Sequence, residues 1–321
     1  YETLDVTNND RKYVSGGLQW SLKDDRTFGS LSVSTSFGIR FHMDQVKRNH
    51  QPTTYLMSDS LMAPDAIPRP PKTLNKVDSD ALAAYLVSRF SYDDLSLDLG
   101  VRHEKIDGQV VNNITDVTET GTQKLTAPSV GTIWRATETV SLFAGIYEGF
   151  SPAGPASDAD HEESTNYEFG VRFFNDETRA EITGFHSDYE NLIGRCRVSD
   201  VICSPGSEFN GGQVEISGAG VSASHAMPLG NRVSLEVAVS YTYSESEFRS
   251  TFFSRFPQWG LVREGDELPY IPQSIGNARL SLFGQNWSVE GSLDFQSVMR
   301  EVPGISSIEE ALHSEGFAIL D

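Results

Sequence analysis

Runs of strict alternation, joined first by a tight turn and then by a long irregular loop, constrain this chain more than any other feature. Tyr167, Phe169, Val171 and Phe173 alternate with Glu168, Gly170, Arg172 and Phe174. A period of two puts a mostly apolar row on one face of a strand and a mostly polar row on the other. Asn175 to Glu177 supply a polar turn, and Arg179 to Tyr189 returns as a second extended run. The same asymmetry recurs along the chain. Short turns are expected at Lys23 to Thr27, Ser91 to Asp94, Ala136 to Glu138, Asn175 to Glu177, Pro228 to Asn231 and Gly284 to Asn286. Long loops are expected at Met43 to Asp78, Lys105 to Lys124, Gly149 to Glu163, Leu192 to Gly211, Phe248 to Gln273 and Val298 to Glu315. Every short turn then falls on one side of the sheet and every long loop on the other. That is the layout of an all-β, antiparallel transmembrane β-barrel with short periplasmic turns and long extracellular loops.

The alternating rows say which face meets what. Leu31, Val33, Thr35, Phe37, Ile39 and Phe41 face one way, and Ser32, Ser34, Ser36, Gly38 and Arg40 the other. The second row is too small and polar for a soluble core, but it suits a sheet that curves inward around water. Leu95 to Val101, Val233 to Tyr243 and Trp287 to Phe295 repeat the pattern, with Tyr241 and Tyr243 at a loop end where an aromatic girdle meets the interface. About thirteen strands are expected. Bacterial single-chain barrels have an even number, so the odd count marks the chain as part of a longer one.

Composition agrees. No run of 18 apolar residues occurs, which removes transmembrane helices but not strands, where only every second residue faces lipid. A net charge of -20 argues against a nucleic-acid partner and places acid in a lumen and in wet loops. No signal peptide opens the chain at Tyr1. Cys196 and Cys203 share one expected loop, where a disulfide suits an exported protein better than a metal site, since only Asp200 lies between them as a third ligand. The segment SDADHEES (157 to 164) gathers oxygen ligands, but it lacks the spacing and the glycine of a calcium loop and reads as a solvated acidic stretch. No nucleophile elbow, zinc-protease helix, phosphate loop or dinucleotide fingerprint is present, so no enzyme is expected.

Six ordered stretches resemble the barrel of the TonB-dependent outer-membrane receptors, in the branch of ferric-citrate-type siderophore receptors. They are FGIRFHMDQVKR (37 to 48), IYEGFSPAGP (146 to 155), ESTNYEFGVRF (163 to 173), FHSDYENLIGRC (185 to 196), EFNGG (208 to 212) and EGDELPYIPQ (264 to 273). The resemblance covers nearly the whole chain. It implies one domain over residues 1 to 321, about 13 of 22 strands, corresponding to roughly strands eight to twenty. Neither the family's plug domain with its TonB box nor its last strands are visible here.

The resemblance also implies uptake of a ferric siderophore, citrate-like, across the bacterial outer membrane. The iron chelate is then the transported ligand, no cofactor is expected, and the partners are membrane lipid and the TonB-ExbB-ExbD energy-transducing complex. A ferric hydroxycarboxylate is anionic, and Arg offers a planar fork suited to carboxylates. Arg40 and Arg102 fall on inward rows, Arg48 and Arg195 in adjoining loops, and Gln213 begins a strand; these five are the candidate ligand residues. The competing account pairs each arginine with wall carboxylates or with a plug. Asp188, Tyr189 and Asn191 match the family pattern and are expected to end a strand and anchor a loop. A passive pore or surface adhesin would share the alternation but not the six ordered matches. A soluble β-sandwich would have loops of similar length at both ends.

Overall fold

The structure, a computed structural model, describes residues 2–58, 61–155, 157, 159–195, 208–254, 259–305 and 312–321, with only the backbone of Glu2 and Arg195. From the N-terminus the strands are β1 (Glu2–Phe28), β2 (Leu31–Ser58), β3 (Leu61–Pro64), β4 (Thr73–Tyr92), β5 (Leu95–Asn112), β6 (Val117–Arg135) and β7 (Val140–Ser151). They continue as β8 (Glu162–Phe174), β9 (Thr178–Glu190), β10 (Ile193–Arg195), β11 (Glu208–Asn210), β12 (Val214–Pro228) and β13 (Ser234–Phe248). Last come β14 (Phe252–Phe253), β15 (Leu261–Val262), β16 (Ser274–Phe283), β17 (Ser288–Gln296), β18 (Met299–Arg300), β19 (His313–Ser314) and β20 (Phe317–Leu320).

Among the described residues, one 14-stranded sheet runs β1-β2-β4-β5-β6-β7-β8-β9-β12-β13-β16-β17-β20, with β3 paired to β2 alone. Each strand of that path is antiparallel to the next, so the expected run of thirteen strands is what forms. Direct cross-strand partners share a face, which lets the apolar row be followed around the sheet. Trp20 faces Ile39, Phe41 faces Leu82, Leu86 faces Val101, and Leu99 faces Val130. The row goes on through Ile146, Tyr167, His186 and Ser217, and through Val221, Tyr241, Gly276 and Phe295. Its large members are open to the surroundings: Leu18 is 76% exposed, Phe169 67% and Ile182 60%. Such a band would be an error in water and is what a lipid-facing wall requires.

The opposite face is polar and laced. Arg89 donates to both carboxylate oxygens of its direct partner Asp98, at 2.7 and 2.8 Å. Arg172 reaches Glu181 at 2.6 Å, Asn277 reaches Asp294 at 2.7 Å, and Ser281 reaches Glu290 at 3.0 Å, each across one ladder rung. The short turns carry their own chemistry. Asn175 Oδ1 accepts from the amides of Glu177 and Thr178, and Thr137 Oγ1 from those of Thr139 and Val140.

Three expectations are corrected. The first turn lies at Gly29 and Ser30, not at Lys23 to Thr27, because Gly29 supplies the positive φ of 62° while the charged residues stay in β1. Met43 to Asp78 is mostly strand: β2 runs to Ser58 and β4 starts at Thr73. Lys105 to Lys124 is a tall hairpin closed at residues 113–116, where Asn112 Oδ1 accepts from Ile114 and Thr115. Arg48 is therefore a strand residue. Both ladders rise above the apolar band into water on two sides, so they need no apolar period.

The other long loops do form at the same end and pack on one another. Val214, Phe248, Val262 and Leu268 are buried together, with Tyr189, Leu192, Phe252 and Trp259 around them. Arg300 pairs with Glu267, and Tyr270 N donates to Arg300 O at 2.8 Å. Cys196 and Cys203 lie outside the described residues.

Candidate ligand-binding wall and outer collar

Parity sorts the candidate residues. Arg40 and Arg48 on β2, and Arg102 on β5, lie on the polar inner face, because their odd-numbered neighbours Ile39, Phe41 and Val101 carry the apolar band. Arg40 is exposed and stands opposite Gln19 and Ala83; it makes no ion pair among the described residues. Arg102 is engaged by Glu104, with Nη2 to Oε2 at 2.7 Å. Glu104 and Arg40 share the cross-strand row through Ala83. Arg40 and Arg102 thus face the same space from strands two places apart, on the order of 12 Å from each other. Between them Tyr85 lies over Gly38, where a β-carbon would meet its ring.

Arg48 sits eight residues farther along β2, roughly 26 Å up the strand. There its direct partner is Arg11, which sequence reasoning passed over. Two guanidinium groups on adjacent strands make one positive station on the inner face. His50, on the same face, feels it: burial, then Arg11, then Arg48 hold its imidazole below its ordinary pKa. Only register could have pointed to Arg11, since nothing in the residues around it fixes its opposite number. Arg195 and Gln213 are not part of either station. The backbone of Arg195 pairs with Glu208 in the β10–β11 hairpin. Asn191, with φ of 56°, ends β9, and its carbonyl accepts from Asn210 Nδ2 at 3.2 Å, which is the anchoring expected of it.

Gln213 lines a cleft of about 440 Å³ near the extracellular end, together with Thr126, Glu148, Glu163, Asp188, Glu215 and Arg249. The cleft arises where β6 and β7 part company beyond the Ser129–Tyr147 pair, β6 continuing with β5 and β7 with β8. Its charged side chains belong to the outer face. Glu148, Thr165, Asp188, Glu215 and Glu247 form one cross-strand row, two residues above the Ile146–Tyr167–His186 row of the apolar band. His186, Asp188 and Glu215 bring one ligand atom each within 4.8 Å of the others, the donor set of a metal site. Arg249 already neutralises that corner, reaching Glu215 at 3.2 Å and Glu247 at 2.6 Å. In SDADHEES, His161 pairs with Glu163 at 2.6 Å, and the described acids of that stretch do not converge.

Comparison with known proteins places this architecture. The sequence model of the family described as TonB dependent receptor-like, beta-barrel, matches residues 1–321. A relative, the metal-pseudopaline receptor CntO of Pseudomonas aeruginosa (strain UCBPP-PA14), is 27% identical over 195 residues, covering 54% of this chain and 28% of the relative. Among solved structures, the ferric citrate transporter FecA in unliganded form superimposes with a TM-score of 0.77 at 18% identity, over 98% of this chain and 47% of that one. The siderophore receptor PiuA of Acinetobacter baumannii gives 0.72 at 13% identity, over 98% and 49%. At these identities the structural likeness speaks for the fold alone. The chain spans under a third of the curated relative and about half of the solved neighbours.

Proposed function

Because the chain belongs to the TonB-dependent receptor β-barrel family, we propose that the polypeptide containing it is an outer-membrane receptor that takes up an anionic metal chelate, ferric and citrate-like. The observation that carries this reading is the placement of arginines on the inner face of β1, β2 and β5. Arg11 and Arg48 form an upper station, and Arg40 with Arg102 a lower one. A ferric hydroxycarboxylate presents carboxylates to the planar fork of Arg, and a charge-assisted bond of this kind is worth ~1.5–3 kcal/mol. Two stations at different heights suit a chelate that is captured at the mouth and handed inward. Arg102 must exchange Glu104 for the chelate, so Arg40, with no such rival, is the stronger contact.

The chemistry on this wall is binding, not bond-making: a transporter of this family is not an enzyme. Energy would come from the TonB complex acting on a plug, which is a property proposed for the whole receptor. The neighbours' cargoes range from ferric citrate to copper by their names, and the choice of an anionic ferric chelate here rests on the arginines. Titration of the full-length receptor with ferric citrate tests it. Arg40→Ala should weaken binding ~10-fold and Arg102→Ala less, one factor of ten being ~1.4 kcal/mol. Unchanged affinity in both variants, with the barrel folded, would remove these two residues from the site. Tight binding of only cationic or uncharged chelates would remove the anionic cargo.

A further inference from the structure

At the upper edge of the apolar band, the outer faces of β9 and β12 bring an imidazole and two carboxylates together. His186 and Asp188 are successive residues on that face of β9, and Glu215 on β12 is the direct cross-strand partner of Asp188. One ligand atom from each lies within 4.8 Å of the other two. The imidazole is held by groups outside this triad. Ser217 Oγ, on its direct partner, stands 2.7 Å from Nδ1, and the Tyr167 ring lies beside it with centroids 5.9 Å apart. Nε2 is thereby turned toward the acids, 3.2 Å from Asp188 Oδ1. Anchoring one ring nitrogen so that the other meets the ion is how ligating histidines are oriented.

The charges around the triad favour a cation. Asp188, Glu215 and Glu247 are successive direct partners on β9, β12 and β13, and like charges so placed repel. Glu163 and Glu190, direct partners two residues higher, add to the excess, and His161 is drawn to Glu163 rather than to the triad. Arg249 meets this row from above, closer to Glu247, at 2.6 Å, than to Glu215, at 3.2 Å. It can therefore stay on Glu247 while Glu215 turns to an ion. The side chains of His186, Asp188 and Glu215 are 38%, 44% and 29% exposed, which leaves a coordination position open to water. One nitrogen and two oxygen donors with an open position suit zinc, whereas carboxylates alone would suit magnesium or calcium.

We propose that His186, Asp188 and Glu215 bind a zinc ion on the outer wall, tying β9 to β12 where the wall leaves the apolar band. The site is separate from the chelate path, because that path runs on the inner face of the sheet.

The test is calorimetric titration of the untagged full-length receptor in detergent with zinc chloride alone, in a buffer containing excess magnesium. Wild-type receptor should bind zinc at a site that His186→Gln, Asp188→Asn and Glu215→Gln each weaken by roughly tenfold or more. Ferric-citrate binding should stay unchanged in all three. Glu148→Gln, which thins the same acidic collar away from the triad, should leave zinc binding as it was. Zinc-edge X-ray absorption of the loaded wild-type receptor needs no variant to fold, and it should show an imidazole among oxygen ligands. No zinc binding by the wild-type receptor, undiminished binding in folded His186→Gln, or a spectrum without imidazole would overturn the proposal. A loss in Glu148→Gln as large as in Glu215→Gln would also overturn it, since the zinc would then be a diffuse counter-ion of the collar.

Discussion

Gly218 leaves no room for a β-carbon, since one placed there overlaps the carbonyl oxygen of Tyr243 and the ring of its direct partner Phe185. The backbone oxygen cannot move aside without breaking a ladder rung. Gly218→Ala should therefore destabilise the barrel by about 1–3 kcal/mol, read as a lower urea midpoint for unfolding from lipid vesicles. At Gly38 the obstacle is only the Tyr85 ring, which can rotate, so the same substitution there should disturb the inner wall more than stability. His50 gives a second residue-scale prediction. Burial and the nearby Arg11 and Arg48 hold it below its ordinary pKa, so it is neutral at neutral pH. An anion bound at the Arg11–Arg48 station would offset those two positive charges and raise the His50 pKa. Binding would then take up a proton, and affinity for an anionic chelate should increase as pH falls from 7.5 to 5.5. His50→Asn should flatten that dependence. A pH-independent affinity in the wild-type receptor would place the chelate away from this station.

Strand pairs and loops behave differently at the next scale. The tall hairpins β1–β2 and β5–β6 carry on their ladders beyond the apolar band without apolar help, because every added rung pairs backbone groups on both sides. The loops between β13 and β16 and between β17 and β20 are instead held by a small core at Phe248 and Val262 and by the Arg300–Glu267 pair. They form one docked unit, with Glu267 N donating to Gly304 O at 3.2 Å. Glu267→Gln weakens the tie between them. It should raise amide exchange and protease sensitivity in residues 261–273 and 299–305 together, leaving the barrel strands protected. If only one of the two loops loosens, they do not move as a unit.

The whole molecule is a wall with a lipid side and a water side. Leu99 sits within the apolar row, between Leu97 and Val101, and is 43% exposed on a face that lipid must cover. Leu99→Arg should cost ~2–4 kcal/mol of membrane stability at the bilayer midplane, seen as a loss of heat-resistant folded band after insertion into vesicles. The solved neighbours are about twice as long as this chain, which has a mass of 35.4 kDa. The native polypeptide in outer membranes should therefore have an intact mass roughly twice that value. A mass near 35.4 kDa would leave no room for a plug, and uptake driven by TonB would give way to a passive pore.

The sequence by itself determined the fold class, the strand sequence and which face meets lipid. Period-two patterning is a local property, and Leu31 to Phe41 or Leu95 to Val101 display it whatever their neighbours do. It also determined that Arg40 and Arg102 point inward, since parity relative to an apolar row needs no tertiary information. It did not determine how far the ladders extend. In water both faces of a strand tolerate polar residues, so Gln45 to Ser58 looks like a loop and is held as strand by pairing with β1, with β4 as far as His50 and with β3 from Tyr55 on. Register was likewise decided only by the tertiary structure. Whether Arg48 faces Arg11, or Lys47 faces Lys12 and Lys76, depends on which rung each strand chooses, and a slip of two residues would separate them while leaving every apolar side chain on its own face. Charge stations on a barrel are set by contacts between residues far apart in the chain, and periodicity carries no record of those contacts.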